Sequence, residues 1–161
     1  MSLSLSPMQL ATLLCAVSAG VGSGMMYVFS TGVMQGLGQL PQEESVRAMQ
    51  AINVAVINPW FLGVFMGTGL FAGVLGAANA LGYAGPVDPW LLAGAGLYIV
   101  GVVMVTIGGN VPLNDALAAV DPASLSPATW AEYATPWLRW NHLRSLAAAI
   151  SSALLVVSTI R

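Results

Sequence analysis

The four basic and six acidic residues of this 161-residue chain are placed so that four long stretches carry no charge: everything before Glu43, Arg47 to Asp88, Asp88 to Asp115, and Arg144 to Arg161. A helix crossing the hydrocarbon layer needs about 20 mostly apolar residues, because its backbone polar groups must be satisfied within the segment itself. Each uncharged stretch is therefore a candidate span. Composition agrees, with 57% of residues hydrophobic and 6% charged, against about 25% charged in a soluble domain. The chain reads as one integral, multi-pass domain over residues 1–161, expected in the cell's inner membrane.

Several function classes fall away at once. A net charge of −2 with no lysine leaves no basic patch for a nucleic-acid backbone. Cys15 is the only cysteine, so intramolecular disulfides, dithiol chemistry and cysteine metal clusters are excluded. The first apolar run, from Met8 to about Met34, has no basic residue before it. It also exceeds the roughly 7 to 15 residues of a signal-peptide core, so it is expected to be retained as a span.

Spans are expected at about residues 8–34, 59–80, 89–111 and 136–160. They make an all-α, up-down-up-down membrane four-helix bundle, with a partly helical loop between spans three and four. No alternating pattern of the kind a membrane barrel requires is present. Glu43 and Glu44 favour a helix start near Glu43 in the first long linker. Pro59 either kinks a helix begun near Ala48 or occupies the first turn of one capped by Asn58, and the second reading gives a span of ordinary length. Gly108, Gly109 and Pro112 mark the end of span three. Thr135 and Pro136 mark an N-cap and first-turn proline opening span four. Glycines four apart (Gly20 and Gly24, Gly32 and Gly36, Gly63 and Gly67, Gly69 and Gly73) have the spacing that lets helices approach closely, within the bundle or against a second copy of the chain. On that reading, leucine at Gly24 or Gly67 forces helices apart. Arg47, Arg139 and Arg144 lie on the side of the long linkers and only Arg161 with the termini, so a positive-inside tally puts the linkers inside.

The up-down order brings the end of span one, the start of span two, the end of span three and the start of span four to one face. Asn58, Asn110, Asn114, Asn141, His142 and Arg144 meet there, whereas the opposite face offers only Asn79 and Asp88. Beyond Pro136, the residues Trp137, Trp140, Asn141 and Arg144 share one side of a helix. Measured from Pro136, Arg144 lies about 12 Å deep at 1.5 Å per residue, near the middle of a roughly 30 Å hydrocarbon layer. Either its guanidinium faces an internal cavity, held by the amides or carbonyls of "GGNVPLN", or the helix projects and the arginine snorkels to the headgroups.

Plainer roles exist for the other polar residues. Asn110 terminates span three ahead of Pro112, Asn114 caps "DALAAV", and the tryptophans form an interfacial belt. His142 follows Asn141 instead of sharing its helical face, which turns it toward the interface. With no second histidine it is a poor metal ligand, and no metal site is expected.

Two segments, "GNVPLNDALAAVD" and "WAEYATPWLRWNHLRSLAA", resemble the paired signature of the anthrone-oxygenase-like family of small four-span membrane proteins. The likeness covers the last third of the chain closely and the glycine-rich first span loosely. It implies the same four-helix fold and the insertion of oxygen at the activated ring methylene of an anthrone, giving an anthraquinone without metal or organic cofactor. It also implies a polar site formed by Asn110, Asn114, Trp137, Asn141, His142 and Arg144.

For such chemistry His142 is the expected base, with Glu132 and Asp115 as further candidates. Arg144 and the asparagine amides, Asn141 and Asn58 among them, stabilise the phenolate or enolate, and Trp137 or Trp140 stacks on the rings. The expected partners are a lipophilic small molecule and membrane lipid. A reading from another class gives the same cavity to a non-catalytic membrane subunit or a lipid- or quinone-binding module. Haem held through His142 is disfavoured by the missing second histidine.

Overall fold

The computed structural model describes residues 5–83 and 85–160. Arg161, counted above on the terminal side, lies outside them. The described residues form five helices and no strand: α1 Pro7–Leu37, α2 Gln42–Ala55, α3 Pro59–Ala80, α4 Pro89–Ala118 and α5 Thr129–Thr159. All except α2 are long and apolar enough to cross a membrane. The protein is a four-span integral membrane bundle.

Three of the four spans start by the same device. Ser6 accepts from the Gln9 backbone N–H while the Gln9 side chain accepts from that of Ser6. Asn58 accepts from the N–H groups of Trp60 and Phe61, and Asp88 from that of Trp90. Pro7, Pro59 and Pro89 then occupy the first helical position, where a missing N–H breaks no bond. Of the two readings of Pro59, the first-turn one is correct.

Two proline-based boundaries expected from the sequence are overturned. Span three does not end at Gly108-Gly109-Pro112; α4 continues to Ala118. Two wide π turns, Ile99–Met104 and Thr106–Asn110, interrupt its α-helical ladder, and the ladder restarts at Val111 with Pro112 in a first turn. A first-turn proline needs no donor, so the helix passes through. Nor does Pro136 open span four: α5 starts at Thr129 and carries Pro136 inside it. Asn114 Oδ1 accepts from both the Tyr133 hydroxyl (3.0 Å) and the Trp137 indole N–H (2.8 Å), one on each side of Pro136. These two buried, tethered aromatics hold the turn that the proline weakens.

The spans form a ring in which α5 packs between α1 and α4, and α3 closes the ring between them. In the half nearer the termini, packing is close. Ser151 donates to the Gly94 carbonyl and Ser152 to that of Ala16, both at 2.7 Å, and Gln9 reaches the Thr159 carbonyl. Added Cβ atoms would fall 2.9 Å from Leu155 at Gly94, 2.6 Å from Ala147 at Gly101 and 2.9 Å from Val103 at Gly69. The glycines expected to pack are largely different ones: Gly24, Gly32, Gly36, Gly63 and Gly67 have nothing within 4 Å of such an atom. Spacing alone does not say which side of a glycine-rich helix faces its neighbour.

At 31, 30 and 31 residues, α1, α4 and α5 are about 45 Å long, against about 33 Å for the 22 residues of α3. Gln9, Asn79, Asp88 and Ser158 are linked at the terminal end, so the surplus turns all project at the linker end. There α2 lies across them. Its Gln50 amide donates to the carbonyls of Leu117 and Val120 at the end of α4, and Gln42 bonds Ser126 and Trp130 at the start of α5. Met34, Leu37, Val46, Met49, Leu117, Tyr133 and Trp137 pack into one buried cluster that joins this cap to the spans.

Candidate functional site

Beneath the cap lies a cavity of about 420 Å3 to which all five helices contribute. Its walls are mostly methionine, phenylalanine and aliphatic side chains, and its polar groups are few: Gln50, Asn53, Thr106, Asn114, Asp115 and Arg144. A second cavity, of about 610 Å3, lies at the terminal end. There Asp88 and Asn79 are engaged in capping bonds, so the chemistry is sought in the first.

Arg144 settles the choice between cavity and headgroup. Its Nε and Nη2 donate to Asn141 Oδ1 at 3.0 and 2.8 Å, its Nη1 donates to Thr106 Oγ1 at 3.2 Å, and its guanidinium carbon lies 5.4 Å from the Trp137 ring centroid. Its guanidinium is thus bonded within the bundle and lines the cavity, as the first of the two readings expects. Every partner is neutral. Among the described residues the sole ion pair is the exposed Arg47–Glu43 bridge. A cation among apolar helices is tolerated because it is multiply hydrogen-bonded and laid over an indole face.

Asn141 is the hinge of this arrangement. Fully buried, it turns its oxygen to Arg144 and its amide, at 2.7 Å each, to the Met26 carbonyl and the Ser30 hydroxyl. Ser30 lies in the π turn Phe29–Val33 of α1. The α1 and α4 π turns thus flank the same arginine, one through Asn141 and the other through Thr106. Such turns, which re-aim side chains, are frequent at functional sites.

The asparagines of "GGNVPLN" do not hold the arginine as expected. Asn110, 1% exposed, donates to the Trp137 carbonyl at 3.1 Å and so braces α5 from α4. Asn114 is spent on Tyr133 and Trp137, although it also lines the cavity. Neither caps a helix by its side chain, because α4 runs through both positions. The two quoted segments do meet, through Trp137.

Other expected site residues separate. Trp137 is buried and lines the cavity, whereas Trp140 is 41% exposed and lies against Gly109. Asn58 is consumed in capping, its amide donating to the Ala55 carbonyl. His142 is exposed and is not among the lining residues: one residue along a helix is about 100° of rotation, and Asn141 holds the inward side. Glu132 is also exposed and outside the lining, while Asp115 lines the cavity at an exposed position.

Sequence reasoning missed Thr106, Ser30 and Asn53. The first two are ordinary polar residues of apolar helices and only matter because π turns aim them. Asn53 had a legible signal: with Gln50 it puts two amides three residues apart, on one side of a surface helix. Its buried amide nitrogen makes no hydrogen bond within 3.5 Å. Among the described residues no three His, Cys, Asp or Glu side chains gather where a metal ion could be held.

No curated protein and no solved structure gives a significant match to the chain. The family model described as Anthrone oxygenase matches residues 60–154. That is more than half the chain, from the start of α3 through most of α5, and it includes Thr106, Asn110, Asn114, Trp137, Asn141 and Arg144. The first span, where the likeness is loose, lies outside the matched segment. The chain belongs to the anthrone oxygenase family.

Proposed function

We propose that the protein oxygenates a lipophilic polycyclic phenol of the anthrone type in the cavity beside Arg144. One observation carries this reading: an arginine within a candidate span, without a carboxylate partner, lines an apolar cavity within the roughly 300–1,000 Å3 of small-molecule sites. A fixed cation among neutral groups favours an anion that develops beside it, and it does so strongly where water is scarce.

The reaction is the replacement of an activated ring methylene by a carbonyl. Loss of a methylene proton gives a delocalised enolate, dioxygen is the oxidant, one of its oxygen atoms becomes the carbonyl oxygen, and the other leaves as water with both methylene hydrogens. Asp115, the only carboxylate in the lining, takes the proton in place of His142, which faces outward. Arg144 and the Asn53 amide stabilise the oxyanion, and Trp137 offers a face for the rings. In the cell the protein resides in the inner membrane, with the linker face inside.

The test is oxygen uptake by purified protein in lipid vesicles supplied with a ring-hydroxylated anthrone. Uptake of one dioxygen per anthraquinone formed is expected, well above spontaneous oxidation in empty vesicles, slowed in Asp115→Asn and lost in Arg144→Met. Rates equal to empty vesicles, with the quinone product still bound, would instead favour a binding module.

A further inference from the structure

The geometry points to a sideways entrance: the cavity takes its ligand from the bilayer through a slot between α3 and α4. This rests on the functional reading above and adds the route and physical state of the substrate. It is a molecule dissolved among lipid chains, uncharged in transit, that meets its first polar group inside.

The slot follows from how the two spans diverge. Toward the termini α3 and α4 are locked together: added Cβ atoms would lie 3.3 Å from Ala95 at Gly76, 3.7 Å from Ile99 at Gly73 and 2.9 Å from Val103 at Gly69. Beyond Gly69, toward the linker face, no glycine of α3 stands on the side turned to α4; Leu62, Phe65 and Met66 take those positions and line the cavity. In this stretch the cavity lies between the helices, with Phe61, Leu62, Phe65 and Met66 on one side and Thr106, Ile107 and Val111 on the other.

Four of these lining residues are also open to the outside: Leu62 at 38%, Met66 at 45%, Ile107 at 52% and Val111 at 39%. A residue that both lines a cavity and is exposed belongs to its mouth. Toward the linker face the exposed lining continues through Val54, Ile57, Asp115 and Ala118. The four named first are apolar and belong to spans. An opening into water would strand such side chains in an aqueous rim, whereas lipid solvates them. Asn114 and Arg144 lie behind this rim, and Asp115, itself exposed, stands at its linker-face end. A phenol passing the rim exchanges lipid for apolar walls at little cost and becomes ionised only beside the arginine, since a charge crossing the rim would lose its water with no partner in exchange.

A mouth residue and a site residue differ in kinetics. Changing the mouth alters entry and exit together and leaves equilibrium affinity alone, whereas changing the site alters affinity, mostly through exit. The experiment is stopped-flow binding of a ring-hydroxylated anthraquinone, which is not turned over, to the protein in phosphatidylcholine vesicles, followed by quenching of tryptophan fluorescence. Met66→Phe/Ile107→Phe narrows the slot and Met66→Ala/Ile107→Ala widens it. Both pairs are lipid-exposed at the surface and are expected to fold, which circular dichroism and melting check.

Entry and exit should both slow about tenfold in the phenylalanine pair and both quicken in the alanine pair, with Kd within about twofold of the wild type. Binding with unchanged rates in both pairs, or a Kd that moves with the rates fixed, overturns the slot while leaving the functional reading intact. Failure of the wild type to bind the quinone overturns the functional reading and the slot with it.

Discussion

The two halves of the bundle solve the same packing problem in opposite ways. Toward the termini, spans meet through glycine and serine: Gly69, Gly76, Gly94 and Gly101 bring backbones close, and Ser151 and Ser152 fasten them by bonds to facing carbonyls. Toward the linkers, the helices spread around a cavity, the ladders of α1 and α4 widen into the π turns Phe29–Val33 and Thr106–Asn110, and a cation is held by Asn141 and Thr106. Without a hydrophobic force between helices in lipid, close packing is what stabilises a membrane bundle. The first half is therefore built for cohesion, and the second gives up cohesion for a polar site.

The sharpest break in that contrast is predicted at Gly101, where leucine would drive a side chain into Ala147, which an added Cβ already meets at 2.6 Å. Overpacking of this kind costs about 3 kcal/mol, so Gly101→Leu should lower the thermal midpoint in detergent strongly or abolish folded yield. Asn141→Leu comes next. It strands the Arg144 guanidinium, the Met26 carbonyl and the Ser30 hydroxyl together, at an expected cost of about 2 kcal/mol, read from the same melting curves.

Asn110→Leu removes a single bond to the Trp137 carbonyl and should cost about 1 kcal/mol. Its double-mutant cycle with Arg144→Met should show no coupling, because the two side chains share no hydrogen bond; coupling above about 0.5 kcal/mol would indicate one network. The smallest effect belongs to Gly24→Leu and Gly67→Leu, each within about 0.5 kcal/mol of the wild type, since both positions face open space. A large loss at either would show that these surfaces pack against something the single chain does not contain.

The same division separates what the sequence discloses from what it hides. The charge-free stretches and the Asn58-Pro59 start are local signals, and they mark the spans correctly because a helix start depends on neighbours in sequence. The up-down order puts the polar residues at one end of the bundle, but it does not say which of them turn inward: Asn58 caps α3 and His142 faces out. Pro136 misled because Asn114 bonds side chains on both sides of it, and Pro112 because the ladder restarts after a π turn and leaves it in a first turn. The partners of Arg144 were hidden for a related reason. A π turn shifts which side chains share a face, and no spacing rule based on about 3.6 residues per turn anticipates Thr106 or Ser30. His142 was readable, since its place directly after Asn141 turns it away from the site.

The central claim is that Arg144 is kept for a ligand and not for the fold. Removing a buried charge together with its desolvation cost is close to neutral for stability, whereas a ligand that binds only the folded state adds stability as RT ln(1 + [L]/Kd). The direct measurement is thermal unfolding of wild type and Arg144→Met in the same lipid-detergent mixture, each with and without a ring-hydroxylated anthraquinone at about 100 times its wild-type Kd. The wild type should gain about 2.7 kcal/mol from the quinone. Arg144→Met should melt within about 1 kcal/mol of the unliganded wild type and gain almost nothing. A variant that melts several kcal/mol lower while keeping the full quinone-induced gain would show that the arginine is a structural clamp, and would contradict the account.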